Sequence, residues 1–179
     1  MRTLIVYESM YGNTHLVANR IGDGLRPYGE VNVVPTDRAT DEMVHAADLV
    51  LVGGPTHVHG MSTETSRAQA VEAAKDGLPL DPDSEGPGLR DWFHGLTEVR
   101  GIMAAAFDTR FAAAPALVTG RASKGITHKL HKHGFNVVAD PESFLVDKAN
   151  HLLDDEQDRA TSWGARLAMA YGEGPAVKA

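Results

Sequence analysis

The chain has 179 residues, 42% of them apolar and 23% charged, the balance of one ordinary globular domain rather than of a disordered or membrane-embedded chain. It holds no cysteine, so disulfides, thiolate nucleophiles and sulfur-ligated zinc or iron–sulfur centres are excluded. A formal net charge of −7 argues against nucleic acid, whose phosphates are bound by clustered Lys and Arg, and no apolar run approaches the roughly 20 residues of a membrane span.

Thr3–Val6 is a short β-branched and apolar run that reads as a first strand. It passes through Glu8-Ser9-Met10-Tyr11-Gly12-Asn13-Thr14 into apolar positions at Val17, Ile21 and Leu25, where the period changes to that of a helix. Pro27 and Gly29 stop this helix, and Val31–Val34 forms the second strand. A short helix over Asp41–Ala47 precedes a third strand, Leu49–Val52, which is continuously apolar and so buried on both faces until Gly53-Gly54-Pro55 ends it. Ser62 is the expected cap of the next helix, with Ala68, Val71 and Ala74 on its inner face and Glu64 in its first turn.

Asp76–Gly88 is dense in Pro and Gly and reads as a surface loop, which with the short helix Leu89–Leu96 makes a surface insertion over residues 76–98. The fourth strand is Gly101–Phe107 and the fifth Pro115–Thr119. Ser123 is placed to cap a helix burying Ile126 and Leu130 and ending at His133-Gly134. Phe135–Ala139 is a closing segment, Asp155–Tyr171 the last helix and residues 172–179 a loose tail. Apolar strands alternating with helices predict an α/β domain spanning residues 1–179, with a doubly wound parallel sheet covered by helices on both faces. The first strand starts at once, without a secretory leader, and a cytoplasmic address is expected.

In such a sheet the ligand lies beyond the carboxyl ends of the strands, where the winding reverses. The turn after the first strand opens a helix and carries hydroxyls at Ser9, Tyr11 and Thr14 beside unpaired backbone N–H groups, which suits a phosphate. An ordinary turn capped by Asn13 or Thr14 is the alternative. No Gly-Lys-Ser/Thr and no Gly-x-Gly-x-x-Gly follows this strand, so the commoner nucleotide loops are excluded.

Tyr7-Glu8-Ser9-Met10-Tyr11-Gly12-Asn13-Thr14 resembles the phosphate-binding signature of the flavodoxin family, and Gly53-Gly54-Pro55-Thr56-His57-Val58-His59-Gly60 resembles its second flavin loop. Phe107-Asp108-Thr109-Arg110-Phe111 falls where that family covers the other face of the ring. The resemblance extends over nearly the whole chain and implies a five-stranded sheet in the order 2-1-3-4-5 with FMN at the switch point. Ser9, Tyr11, Gly12, Asn13 and Thr14 would then hold the phosphate, with Met10 beside them among the cofactor-binding residues, and Pro55 and Thr56 would line the ribityl chain. His57, Val58, His59, Gly60, Phe107, Asp108, Thr109 and Phe111 would lie about the ring, with Asp108 in reach of a ring nitrogen.

Electron transfer to a redox partner protein or a small-molecule acceptor is the implied role. The Ser-Met-Tyr-Gly wording is shared with flavodoxin-like quinone reductases, so an FMN-dependent NAD(P)H:quinone-type oxidoreductase is the second reading, and a flavin-free binding module of the same fold the third. No metal site is expected: His57 and His59 have no neighbouring carboxylate, and His128, His131 and His133 suit the end of a helix. Gly60 tolerates positive φ, so its peptide is expected to rotate as the ring takes up a proton and an electron. Trp92 and Phe93 are expected to pin the long loop.

Overall fold

In the computed structural model, which describes residues 1–57, 60–75, 77–112 and 120–171, side chains alternate across a central parallel sheet. Leu4, Val6, Val50, Val52, Ala104 and Ala106 enter one core layer, while Ile5, Tyr7, Leu49, Leu51, Ala105 and Phe107 enter the other. The strands supplying them are β1 (Arg2–Tyr7), β3 (Leu49–His57) and β5 (Met103–Phe111), with β2 (Glu30–Pro35) along one edge. Their order is β2-β1-β3-β5, all parallel, and the first three connections carry α1 (Asn13–Leu25), α2 (Asp41–Ala46), and the pair α3 (Glu64–Ala74) and α4 (Leu89–Gly95). α5 (Ala122–Lys132) and α6 (Glu156–Tyr171) complete the cover, α6 beside α1 on one face and α5 on the other.

This is the expected doubly wound α/β fold, and its first four parallel strands follow the expected order. The fifth position differs. It is shared by two short strands, β6 (Asn136–Val137) beside Met103 and Ala104, and β7 (Glu142–Val146) beside Phe107–Phe111. Pro141 lies between them and has no N–H to donate, which accounts for the break. The strand expected over residues 115–119 lies outside the described residues, as do Val58, His59 and the tail 172–179.

Other expectations are corrected. β3 does not stop at Gly53 but runs through Gly-Gly-Pro to His57, and β5 continues to Phe111. Past the glycines β3 turns back antiparallel in β4 (Gly60–Met61), with Thr56 opposite Met61 and His57 opposite Gly60. Thr63, not Ser62, caps α3 by accepting from the Ser66 N–H, while the Ser66 hydroxyl accepts from the Thr63 N–H. The inner face of α3 is Ser66 and Ala70; Ala68 and Val71 are exposed. α5 begins after Arg121, and its N-terminus is satisfied from the sheet rather than by Ser123.

Segment 77–98 is tied to the strand ends. The Asp81 N–H donates to the Met10 carbonyl at 2.8 Å, the Thr36 hydroxyl to the Pro87 carbonyl at 2.5 Å, and the Leu89 N–H to Glu8 Oε2 at 2.8 Å. Trp92 donates through Nε1 to the Ala39 carbonyl, and Phe93 is fully buried on the inner side of α4, so the aromatic pair pins this segment.

Candidate functional site

Among the described residues, the first turn beyond β1 leaves backbone donors unclaimed. Gly12 sits at φ +91°, a conformation that disfavours any side chain, and it precedes α1 as an N-cap without a side-chain acceptor. No acidic residue stands in the first turn of α1. Neither alternative cap is used: Asn13 Nδ2 donates to the Asn150 carbonyl and side chain, and Thr14 Oγ1 shares a 2.8 Å hydrogen bond with Thr109 Oγ1. Ser9 accepts from the Gly12 N–H, and the Tyr11 hydroxyl donates to the Ala70 carbonyl. The positive end of the α1 dipole and its free N–H groups therefore face a turn of hydroxyls, with no Lys or Arg from residue 9 to 14.

This turn forms one wall of a cavity of about 480 Å³, within the usual size of a small-molecule site. Ser9, Met10, Tyr11, Asn13 and Thr14 line it from the first turn, Pro55, Thr56 and His57 from the end of β3, and Thr109 and Phe111 from the end of β5. Three segments named from sequence alone thus meet around one space. Phe111 is half-exposed at its lip. Arg110, Val146 and Asn150 also line it and were not anticipated. Asn150 could have been suspected only through its φ of +64°, which sequence does not report. No carboxylate lines the cavity among the described residues, and Arg110 is its one fixed charge there.

Two residues expected at the ring have their side chains in the core. Phe107 is fully buried in the core, edge-on to Phe144 and Trp163, because its ring fills the space over Gly53, where a Cβ would lie 2.1 Å from it. Its side chain is thus not available to a flavin. Asp108 is likewise fully buried. Its Oδ2 accepts from the Ser123 N–H at 2.8 Å and the Thr56 hydroxyl at 3.2 Å, and Thr56 in turn accepts from the Ala122 N–H. Asp108 is therefore the carboxylate that satisfies the start of α5 and holds the ends of β3 and β5 together.

Gly60 lies in β4 outside the left-handed region, and a Cβ there meets nothing within 4 Å. Burial holds the His57 imidazole below its usual range, with Arg67 acting in the same direction and Glu8 against it. Glu8, in the run after the first strand, is a buried carboxylate that accepts from the Ser62 hydroxyl and the Leu89 N–H. It joins the end of β1 to the hairpin and to α4.

The model of the flavodoxin family matches residues 5–163. The chain belongs to the flavodoxin family. Among solved structures, a flavodoxin from the domain Archaea superimposes with a TM-score of 0.65 at 20% identity, over 95% of this chain and 98% of that one. Oxidised flavodoxin 1 from Bacillus cereus gives 0.66 at 19% identity, over 94% and 98%. A flavodoxin described as WrbA-like, from Agrobacterium tumefaciens, gives 0.61 at 17% identity, over 94% and 96%. These likenesses establish a shared fold. No curated protein matches the chain. Within this flavodoxin frame the uncapped α1 turn fits a phosphate and the cavity fits a flavin: the donors are neutral, the walls largely apolar and the lip aromatic.

Proposed function

We propose that this flavodoxin-family protein binds FMN in the cavity beyond β1, β3 and β5 and passes electrons to a redox partner protein or a small acceptor. The observation that carries this reading is the convergence of an uncapped helix N-terminus with the ends of β3 and β5 around one cavity. Ser9, Tyr11, Gly12, Asn13 and Thr14 would hold the phosphate, Pro55 and Thr56 the ribityl chain, and His57, Val58, His59, Gly60 and Phe111 the ring region. When bound, FMN supplies one- and two-electron transfer; the protein orients it, shields it from water and leaves an edge accessible. No described helix is long and apolar enough to cross a membrane, in keeping with a cytoplasmic carrier.

The test is a titration of the flavin-free protein with FMN and with riboflavin, followed by fluorescence quenching. FMN is expected to bind with 1:1 stoichiometry and at least about tenfold more tightly than riboflavin, since only FMN engages the α1 turn. Equal affinities would remove the phosphate assignment, and no uptake of either flavin would leave a flavin-free binding module. His57, whose imidazole burial holds below its usual range, and Arg110 in the same cavity favour a second reading, the FMN-dependent reduction of a quinone-like acceptor by NAD(P)H. Steady turnover of NAD(P)H and quinone without a partner protein would select it.

A further inference from the structure

Behind the phosphate turn, and outside the cavity it lines, three side chains from distant parts of the sequence point their ligand atoms at one another. His15 Nδ1 lies 3.2 Å from Asp81 Oδ2 and 3.9 Å from Asp83 Oδ2, and all three atoms fall within 4.8 Å of one another. We propose that His15, Asp81 and Asp83 bind one divalent first-row transition metal ion of the zinc class. An imidazole with two carboxylates is a nitrogen and oxygen set that suits such an ion better than calcium or magnesium, and three protein ligands leave room for water.

The group is organised as a metal site's outer shell would organise it. Each carboxylate has one oxygen tied back: Asp81 Oδ1 accepts from the Asp83 N–H at 2.9 Å, and Asp83 Oδ1 from Arg38 at 2.5 Å. The second oxygen of each is left facing His15. Tyr7 orients both partners, stacking on the His15 ring with centroids 4.5 Å apart and donating its hydroxyl to Asp83 Oδ2 at 2.7 Å. Among the described residues two carboxylates share one guanidinium and one imidazole, and the Asp81 side chain is only 1% exposed.

The ion would act on the neighbouring turn. Asp81 bonds the Met10 carbonyl, and its Oδ2 lies 3.7 Å from where a Gly12 Cβ would stand. Unneutralised, Asp81 repels an anion held by residues 9–14; with a divalent ion in place the sign of that effect reverses. This linkage rests on the phosphate reading above, whereas the metal site does not.

Zinc is titrated calorimetrically into the full chain stripped of metal and flavin. One equivalent is expected to bind saturably, with affinity lowered at least about tenfold by His15→Ala and by Asp83→Asn, and unchanged by His131→Ala on α5. Unaltered melting of the His15→Ala variant, whose side chain is one-third exposed, shows that it folds. No saturable uptake, or uptake indifferent to both substitutions, overturns the site. FMN is then titrated with one equivalent of zinc or with chelator; zinc is expected to tighten FMN at least about fivefold and leave riboflavin unchanged. Equal FMN affinities overturn the linkage. A chain that takes zinc but no FMN rejects the phosphate reading and upholds the metal site.

Discussion

Asp108 is a buried carboxylate whose side chain is spent on joining elements near the cavity. Its Oδ2 takes both the Ser123 N–H and the Thr56 hydroxyl, while its Oδ1 meets no partner among the described residues. Asp108→Ala takes the acceptor from the buried Ser123 N–H at the start of α5 and from the half-buried Thr56 hydroxyl at the end of β3, and is expected to cost about 2–4 kcal/mol in urea unfolding. Asp108→Asn retains an acceptor and is expected to cost less; equal losses would mean that the side chain acts through its volume alone. His57, half-buried at the end of β3, has its imidazole held below the usual range by burial. Because burial lowers its pKa on folding, the unfolded chain takes up the proton more readily, and stability rises with pH across that range. Its contribution is complete above the ordinary histidine pKa of about 6.5 and is lost as pH falls below it. The urea midpoint should drop on acidification from about pH 7.5 to about pH 5, and His57→Gln should flatten part of that drop. His133, shifted in the same direction by burial and by Lys129 and Lys132, adds its own part, which His133→Gln removes.

At the scale of elements, α1 and α6 approach so closely that their contact is backbone on backbone. A Cβ at Gly24 would lie 2.0 Å from the Thr161 carbonyl oxygen, and one at Gly164 would lie 2.2 Å from that of Ile21. Alanine in an open helix gains roughly 1 kcal/mol over glycine, but here the overlap with main chain is expected to reverse the sign. Gly24→Ala and Gly164→Ala should each destabilise by about 1–3 kcal/mol in urea titrations, whereas Gly60→Ala, with open space around it, should stay within about 0.5 kcal/mol. Such an approach was not legible in the sequence, because a glycine inside a helical pattern looks like a mere weakness. The strands were legible for the opposite reason: Ile5, Leu51 and Ala105 are apolar on both sides of their neighbours, and burial on both faces of a sheet leaves few other readings. The three turns of the cavity were found because hydroxyls, Gly and Pro accumulate where strands end. What periodicity missed had non-local causes. Val71 looked inward-facing but α3 buries little; Ser123 yielded its capping role to Asp108, 15 residues away; and the value of Glu8 depends on Ser62 and Leu89.

Across the whole molecule the electrostatics of the cavity and of the surface oppose each other. The chain carries a net charge of −7, whereas the proposed phosphate turn offers neutral donors and a helix dipole but no Lys or Arg. The dipole acts within a turn of helix and is little screened in contact, while the net charge acts through solvent and is screened over a Debye length. A doubly charged phosphate approaching this chain therefore meets long-range repulsion before it reaches short-range attraction. Raising ionic strength from about 0.01 M to about 0.15 M shortens the Debye length from about 30 Å to about 8 Å and removes most of the first effect while leaving the second. In chelator-treated protein the association rate of FMN, followed by stopped-flow fluorescence, should rise with added salt, and that of riboflavin should stay flat. A cradle built on Lys and Arg would give the reverse, since salt would screen the attraction that steers the ligand in. A rate for FMN that falls with salt would mean that cationic side chains dominate the entrance, with Arg110 at the cavity the first to substitute.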